Sequence, residues 1–200
     1  CKKALVASDA DLAAAVDWLR TKGLSAAAKK SGRVASEGLI GLAIEGCNGA
    51  LIEVNAETDF VARNKSFQEF VSTTATLALQ SGGDLDVLKA KAYPGANRSV
   101  EEEITHQIST IGENLSLRRV KFLSIEKGVV ASYMHNTMTP TLGKIGVLVT
   151  FNSKADAEFL KALGKQVAMH VAAAKPMSIS QDTLDPAKIE KERNFLIEQA

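Results

Sequence analysis

The spacing of hydrophobic positions along this chain changes period several times, and each change marks a predicted element. Leu12, Val16 and Leu19 recur at helical spacing, with Ser8 or Asp9 as a cap and Gly23 as a left-handed stop. Leu24 to Gly32 is small, polar and basic, and reads as a linker. From Glu37 the pattern turns strand-like. Glu37 to Ile44 and Ala50 to Asn55 flank Gly46-Cys47-Asn48-Gly49, and Asn-Gly between two β-type runs predicts a hairpin. A capping box at Ser66 and Glu69 opens a helix with Phe67, Phe70, Val71, Thr74 and Leu77 as its stripe. Tyr93-Pro94-Gly95 then breaks the chain. A second box, Ser99 and Glu102, starts a helix bearing Ile104, Ile108 and Ile111, with Gly112 as its stop. Leu115 to Ile125 alternates as a third strand.

The pattern then recurs. Lys127-Gly128 to His135 parallels Glu37-Gly38 to Glu45, and Gly146 to Asn152 parallels Gly49 to Asn55 in character at each position. Phe159, Leu160, Leu163, Val167 and Val171 form the following helical stripe, which ends before Pro176. The predicted class is therefore α+β: two similar units of strand, hairpin, strand and helix, with antiparallel sheets of three-stranded type and helices on one face of each. The second copy reaches Ala200 without its third strand, and Asp185-Pro186 starts a further helix. The chain opens on Cys1 inside a short helical pattern and stops in mid-helix, so it reads as a piece of something longer at both ends.

The two copies differ in one place. Eleven residues separate Asn55 from Phe67, whereas six separate Asn152 from Phe159, and the excess falls on Thr58-Asp59-Phe60-Val61-Ala62-Arg63-Asn64. Connections run over surfaces and carry grafted function. An aromatic there suits either a plug for another protein's pocket or a side chain folded back onto its own core. Arg63 reads either as part of the same contact or as one half of a structural ion pair.

Composition narrows the field. In 200 residues, 24 Lys plus Arg balance 23 Asp plus Glu, so no strong field draws in nucleic acid or an anionic membrane. No apolar run approaches a membrane span and no signal peptide is visible. Cys1 and Cys47 are too few for a disulfide framework or a zinc site, which fits a reducing compartment. Phosphate-binding glycine loops and nucleophile elbows are absent. His106, His135 and His170 stand at no metal-ligand spacing. His106 reads as solvated and His170 as helix packing. His135 ends a strand beside a long loop, Asn136 to Gly143, where a functional contact is plausible. No cofactor and no enzyme chemistry are expected. Two other readings stay open: an RNA-binding module using the basic linker, and a hydrolase acting through His135.

Several segments resemble the elongation factor Ts family, the nucleotide-exchange factors for elongation factor Tu. Thr58-Asp59-Phe60-Val61-Ala62-Arg63 is similar to the family's signature. Cys1-Lys2-Lys3-Ala4-Leu5, Leu51 to Asn55, Ile111-Gly112-Glu113-Asn114, Leu117 to Val120, Ser132-Tyr133-x-His135 and Met169 to Pro176 agree in the same order. The resemblance implies that residues 1–32 are part of a small three-helix N-terminal domain plus linker. Residues 33–124 would be a first core subdomain, 125–184 an incomplete second, and 185–200 the start of a helical hairpin. It also implies that Asp59, Phe60, Val61 and Ala62 form a wedge that disturbs the Mg²⁺ and phosphate site of elongation factor Tu. Ile111, Gly112, His135, Lys2 and Lys30 would be further partner contacts. A bacterial cytosol, or a mitochondrial or plastid matrix, would be the setting.

Overall fold

The computed structural model describes residues 2–199, so the features read at Cys1 and Ala200 lie outside the described residues. Two helices open the chain: α1 (Lys2–Ala7) and α2 (Leu12–Lys30), the second capped by the Asp11 side chain on the Ala14 N–H. Ser8 and Asp9 do not cap it; Asp9 and Ala10 instead take positive φ in the turn between the helices. The stretch expected to be a linker is the last part of α2, which runs through Gly23 without stopping. Gly23 lies where α2 crosses α5 (Val100–Ile111); a Cβ there would meet Ser109 at 3.7 Å, an ordinary contact. Ala, Lys and Leu are good helix formers, and no Pro or left-handed residue interrupts them.

β1 (Glu37–Glu45) and β2 (Asn48–Ala56) form the expected hairpin, but it turns at Gly46-Cys47, and the Asn48-Gly49 pair read as the turn opens β2; β3 (Leu115–Ser124) pairs antiparallel with β2. A register shift between Glu53 and Val54 sets Arg118 and Arg119 side by side, both exposed, where strict alternation would separate them. Both reach Glu53. Burial works to raise that carboxyl's pKa, but hydrogen bonds from Arg118, Arg119 and Asn55 outweigh it and hold the group below the ordinary carboxylate range.

α3 (Lys65–Ala78), the short α4 (Leu85–Ala90) and α5 cover one face of this sheet. Phe67, Phe70, Val71, Ala75, Leu88 and Val100 are fully buried there. The capping box at Ser99 and Glu102 forms as expected. The one at Ser66 does not: Asn64 caps α3 through the Phe67 N–H, and Ser66 bonds Gln107 on α5. α4, capped by Asp84, had no sequence assignment.

The second copy supplies β4 (Val129–His135), the two-residue β5 (Leu142–Gly143), β6 (Ile145–Phe151) and α6 (Ala157–Ala174). β4 and β6 make a two-stranded antiparallel sheet, while β5 leaves its own copy and pairs with β1. The first sheet thus has order β3-β2-β1-β5, four strands rather than three, and the second has two. The two sheets meet face to face: a Cβ on Gly49 would touch Val130 and Leu148, and one on Gly146 would touch Ile40, Leu51 and Met134. α6 lies on the outer face of β4 and β6, burying Leu160, Gly164 and Ala168. α7 (Pro186–Glu198) follows, capped by Asp185 with Pro186 at its first position.

The repeat has a physical signature in two glycines. Gly38 and Gly128 open the first strand of each copy at φ 127° and 130°. A Cβ on either would collide with a backbone carbonyl of the partner strand, at Val54 and at Phe151 respectively.

Candidate functional site

The inserted segment folds as a 3₁₀ turn, Asp59–Arg63. Its side chains divide sharply. Val61 and Ala62 are buried, at 5% and 2% exposure, and join the first core cluster. Phe60 is 74% exposed, and Asp59 and Arg63 are exposed beside it. A Phe that folded back onto its own core would look like Phe67, which has no exposed surface. The core reading of Phe60 therefore fails. Val61 and Ala62 shape the turn from inside and offer no surface for direct contact. Arg63 makes no salt bridge among the described residues, so its reading as half of a structural ion pair has no support here.

The turn is tied down on both sides. Downstream, the Asn64 N–H donates to the Val61 carbonyl and the Gln68 side-chain amide donates to the Ala62 carbonyl at 2.8 Å. Upstream, Thr58 donates its N–H and its hydroxyl to the two oxygens of Glu113, at 2.9 and 2.6 Å. Charged acceptors make such hydrogen bonds roughly twice as strong as neutral ones. An exposed aromatic is thereby held on a short, doubly anchored support.

Glu113 follows Gly112, so the same bonds bring Ile111–Gly112 beside the Asp59–Phe60 turn. Ile111, half-buried, packs against the first core, and Gly112 is the left-handed C-cap of α5 at φ 91°. Lys30 joins this corner, but its ammonium donates to the Ile108 carbonyl at 3.2 Å, where a cation complements the helix end. That bond gives Lys30 a place in the fold itself, which the sequence did not reveal. Lys2 is exposed on α1.

His135 sits at the end of β4 on the other sheet, exposed, as its place in the strand predicted. The Tyr133 hydroxyl lies 3.0 Å from its Nδ1. His106 is exposed as expected; His170 is exposed too, contrary to the expectation that it packs. The buried face of α6 falls on Leu160, Gly164 and Ala168, leaving Phe159, Leu163 and Val167 outside. Among the described residues no group of three His, Cys, Asp or Glu converges as a metal site would require.

Glu113 and Thr58 were not singled out by residue type. A pair fifty-five positions apart carries no local signal, although each stood inside a family-like segment.

By fold this is an α+β protein of two packed antiparallel sheets with helices outside, and its candidate contact corner is an anchored, exposed aromatic. Comparison with known proteins gives that class its particular member. The family model described as elongation factor TS matches residues 57–200, so the chain belongs to the elongation factor Ts family. Elongation factor Ts of Rhodospirillum rubrum is 57% identical over 201 residues, and that of Rhodospirillum centenum 54% over 200. The Zymomonas mobilis protein of that name is also 54% identical. Each alignment takes in 100% of this chain but 65% of the relative's length. No helix of the described residues is long and apolar enough to cross a membrane.

Proposed function

We propose that this chain acts in translation as a nucleotide-exchange factor, binding elongation factor Tu and promoting GDP release without a catalytic site of its own. The observation that carries the reading is Phe60, fully presented on a support whose neighbours Val61 and Ala62 are locked in the core. In this reading residues 33–124 and 125–184 are two core subdomains, 1–32 belong to a helical N-terminal domain, and 185–200 begin a helical hairpin. The setting is the cytoplasm, and neither membrane nor nucleic acid is engaged.

A GTPase holds GDP through Mg²⁺ and a backbone cradle around the phosphates. An exchange factor need not touch the nucleotide. It shifts the equilibrium only by binding the nucleotide-free form more tightly than the GDP form. Phe60, with Asp59 beside it, wedges into the GTPase domain near the metal site and displaces the groups that hold Mg²⁺ and phosphate. Linkage makes the effect reciprocal, so GDP weakens the factor as much as the factor weakens GDP. Ile111–Gly112 and His135 add contacts that position the wedge.

The test is release of labelled GDP from elongation factor Tu with the parent chain and with Phe60→Ala. The parent should accelerate release. Phe60→Ala should slow it while the melting midpoint stays close to the parent's, since surface substitutions usually fall within about 0.5 kcal/mol. Asp59→Ala should act the same way and non-additively with Phe60→Ala. Normal acceleration by Phe60→Ala would sink the reading.

A further inference from the structure

Two acids cross between the ends of β2 and β3. Glu113, just after Gly112, accepts from the Thr58 N–H and hydroxyl. Glu57, just before Thr58, accepts from the Asn114 N–H at 2.6 Å. The Asn114 side chain in turn donates to the Arg33 carbonyl at 2.8 Å, and Asn114 is buried. The last backbone pairing in this part of the ladder is Ala56 with Leu115. Beyond it the strands part, and two carboxylates continue the cross-link in place of carbonyls. Each acid precedes the residue whose N–H the other acid takes, so the bonds form a reciprocal clasp.

Its position is what gives it meaning. Asp59 and Phe60 leave directly from one side of the clasp, and Ile111 and Gly112 enter directly from the other. We propose that Glu113, with Glu57 opposite it, is a positioning residue that joins the Phe60 turn and the Gly112 corner into one rigid docking element. This rests on the reading of Phe60 as the anchor for a GTPase. Without the clasp, the turn keeps its downstream bonds from Asn64 and Gln68 and its buried Val61 and Ala62, but its upstream end, from which Asp59 and Phe60 leave, loses its tie. Phe60 would then sample several orientations, and the partner would meet a mobile anchor whose ordering costs affinity.

The experiment uses the whole chain. Glu113→Ala should slow catalysed GDP release about tenfold or more, the scale of losing a charge-assisted pair of hydrogen bonds. Hydrogen exchange should quicken at the amides of residues 58–63 while the strands of the first sheet keep their protection. Glu113→Gln should restore most of the rate, because its amide oxygen still accepts from Thr58; a general loss of packing would not be rescued so. In a Phe60→Ala background, Glu113→Ala should add little. If Phe60→Ala is slow but Glu113→Ala exchanges normally, the clasp proposal falls alone. If Phe60→Ala exchanges normally, the docking reading falls and takes this proposal with it. If Glu113→Ala is slow but additive with Phe60→Ala, Glu113 acts elsewhere and positioning is overturned.

Discussion

Phe60 and Phe67 are the same residue type seven positions apart, and their fates are opposite. Phe67 falls on the inward stripe of α3, so its truncation to Ala would cost about 3–5 kcal/mol through lost transfer energy and a cavity. Phe60 sits where the buried neighbours Val61 and Ala62 turn the backbone outward. His135 belongs to the same scale. Its replacement by Ala should weaken a complex with elongation factor Tu by about 1–2 kcal/mol, the scale of one useful interface contact. Isolated stability should barely change, because an exposed strand-end residue supports little core. A fall in melting temperature like that of Phe67→Ala would instead make His135 structural. Titration calorimetry and thermal unfolding of the one variant separate these outcomes.

At the scale of elements, the two copies solve one packing problem in complementary ways. In the first, Gly41 lies in β1 beneath α3, and a Cβ on it would meet Val71 and Ala75. In the second, the matching strand position is Ala131, and the glycine has moved to the helix as Gly164. A Cβ on Gly164 would stand 2.3 Å from that of Ala131, closer than unbonded atoms approach. Gly164→Ala therefore sets two effects against each other. Alanine favours a helix by about 1 kcal/mol. Overpacking typically costs about 1–3 kcal/mol, and here the obstacle is a strand Cβ that has no rotamer to change. The clash should win, and denaturant unfolding should show net destabilisation; a gain in stability would mean α6 rides farther from the sheet than described.

For the whole molecule, the seam between the sheets is the feature that joins the copies. Gly49 and Gly146 let the sheets approach, and β5 of the second copy adds to the edge of the first. Gly146→Val would press on Ile40, Leu51 and Met134 together. It should lower stability by about 1–3 kcal/mol within a single unfolding transition, because both sheets lose the same contact surface. Calorimetry showing two separate transitions would mean the sheets fold independently and the seam is secondary.

Much of this was legible in the chain. The β1–β2 hairpin, the Ser99–Glu102 box, the Gly112 stop and the Asp185-Pro186 start each depend on neighbours within a few residues, and all four formed, although the hairpin turns at Gly46-Cys47 and not at the Asn-Gly pair. The repeat was legible because two strands and a helix need the same order of small, apolar and polar positions wherever they pack. The elongation factor Ts resemblance drew on the same local words. What required the tertiary structure were decisions between distant residues. α2 continues through Gly23 and packs across α5, and β5 leaves its own sheet and pairs with the edge of β1. α6 buries Leu160, Gly164 and Ala168 rather than Phe159, Leu163 and Val167, with Gly164 at the point where the helix comes closest to Ala131. The exposure of Phe60 was of this second kind. Periodicity left it between core and surface, and the choice fell outward because Val61 and Ala62 filled the space inside while Glu113, fifty-five residues from Thr58, clasped the backbone.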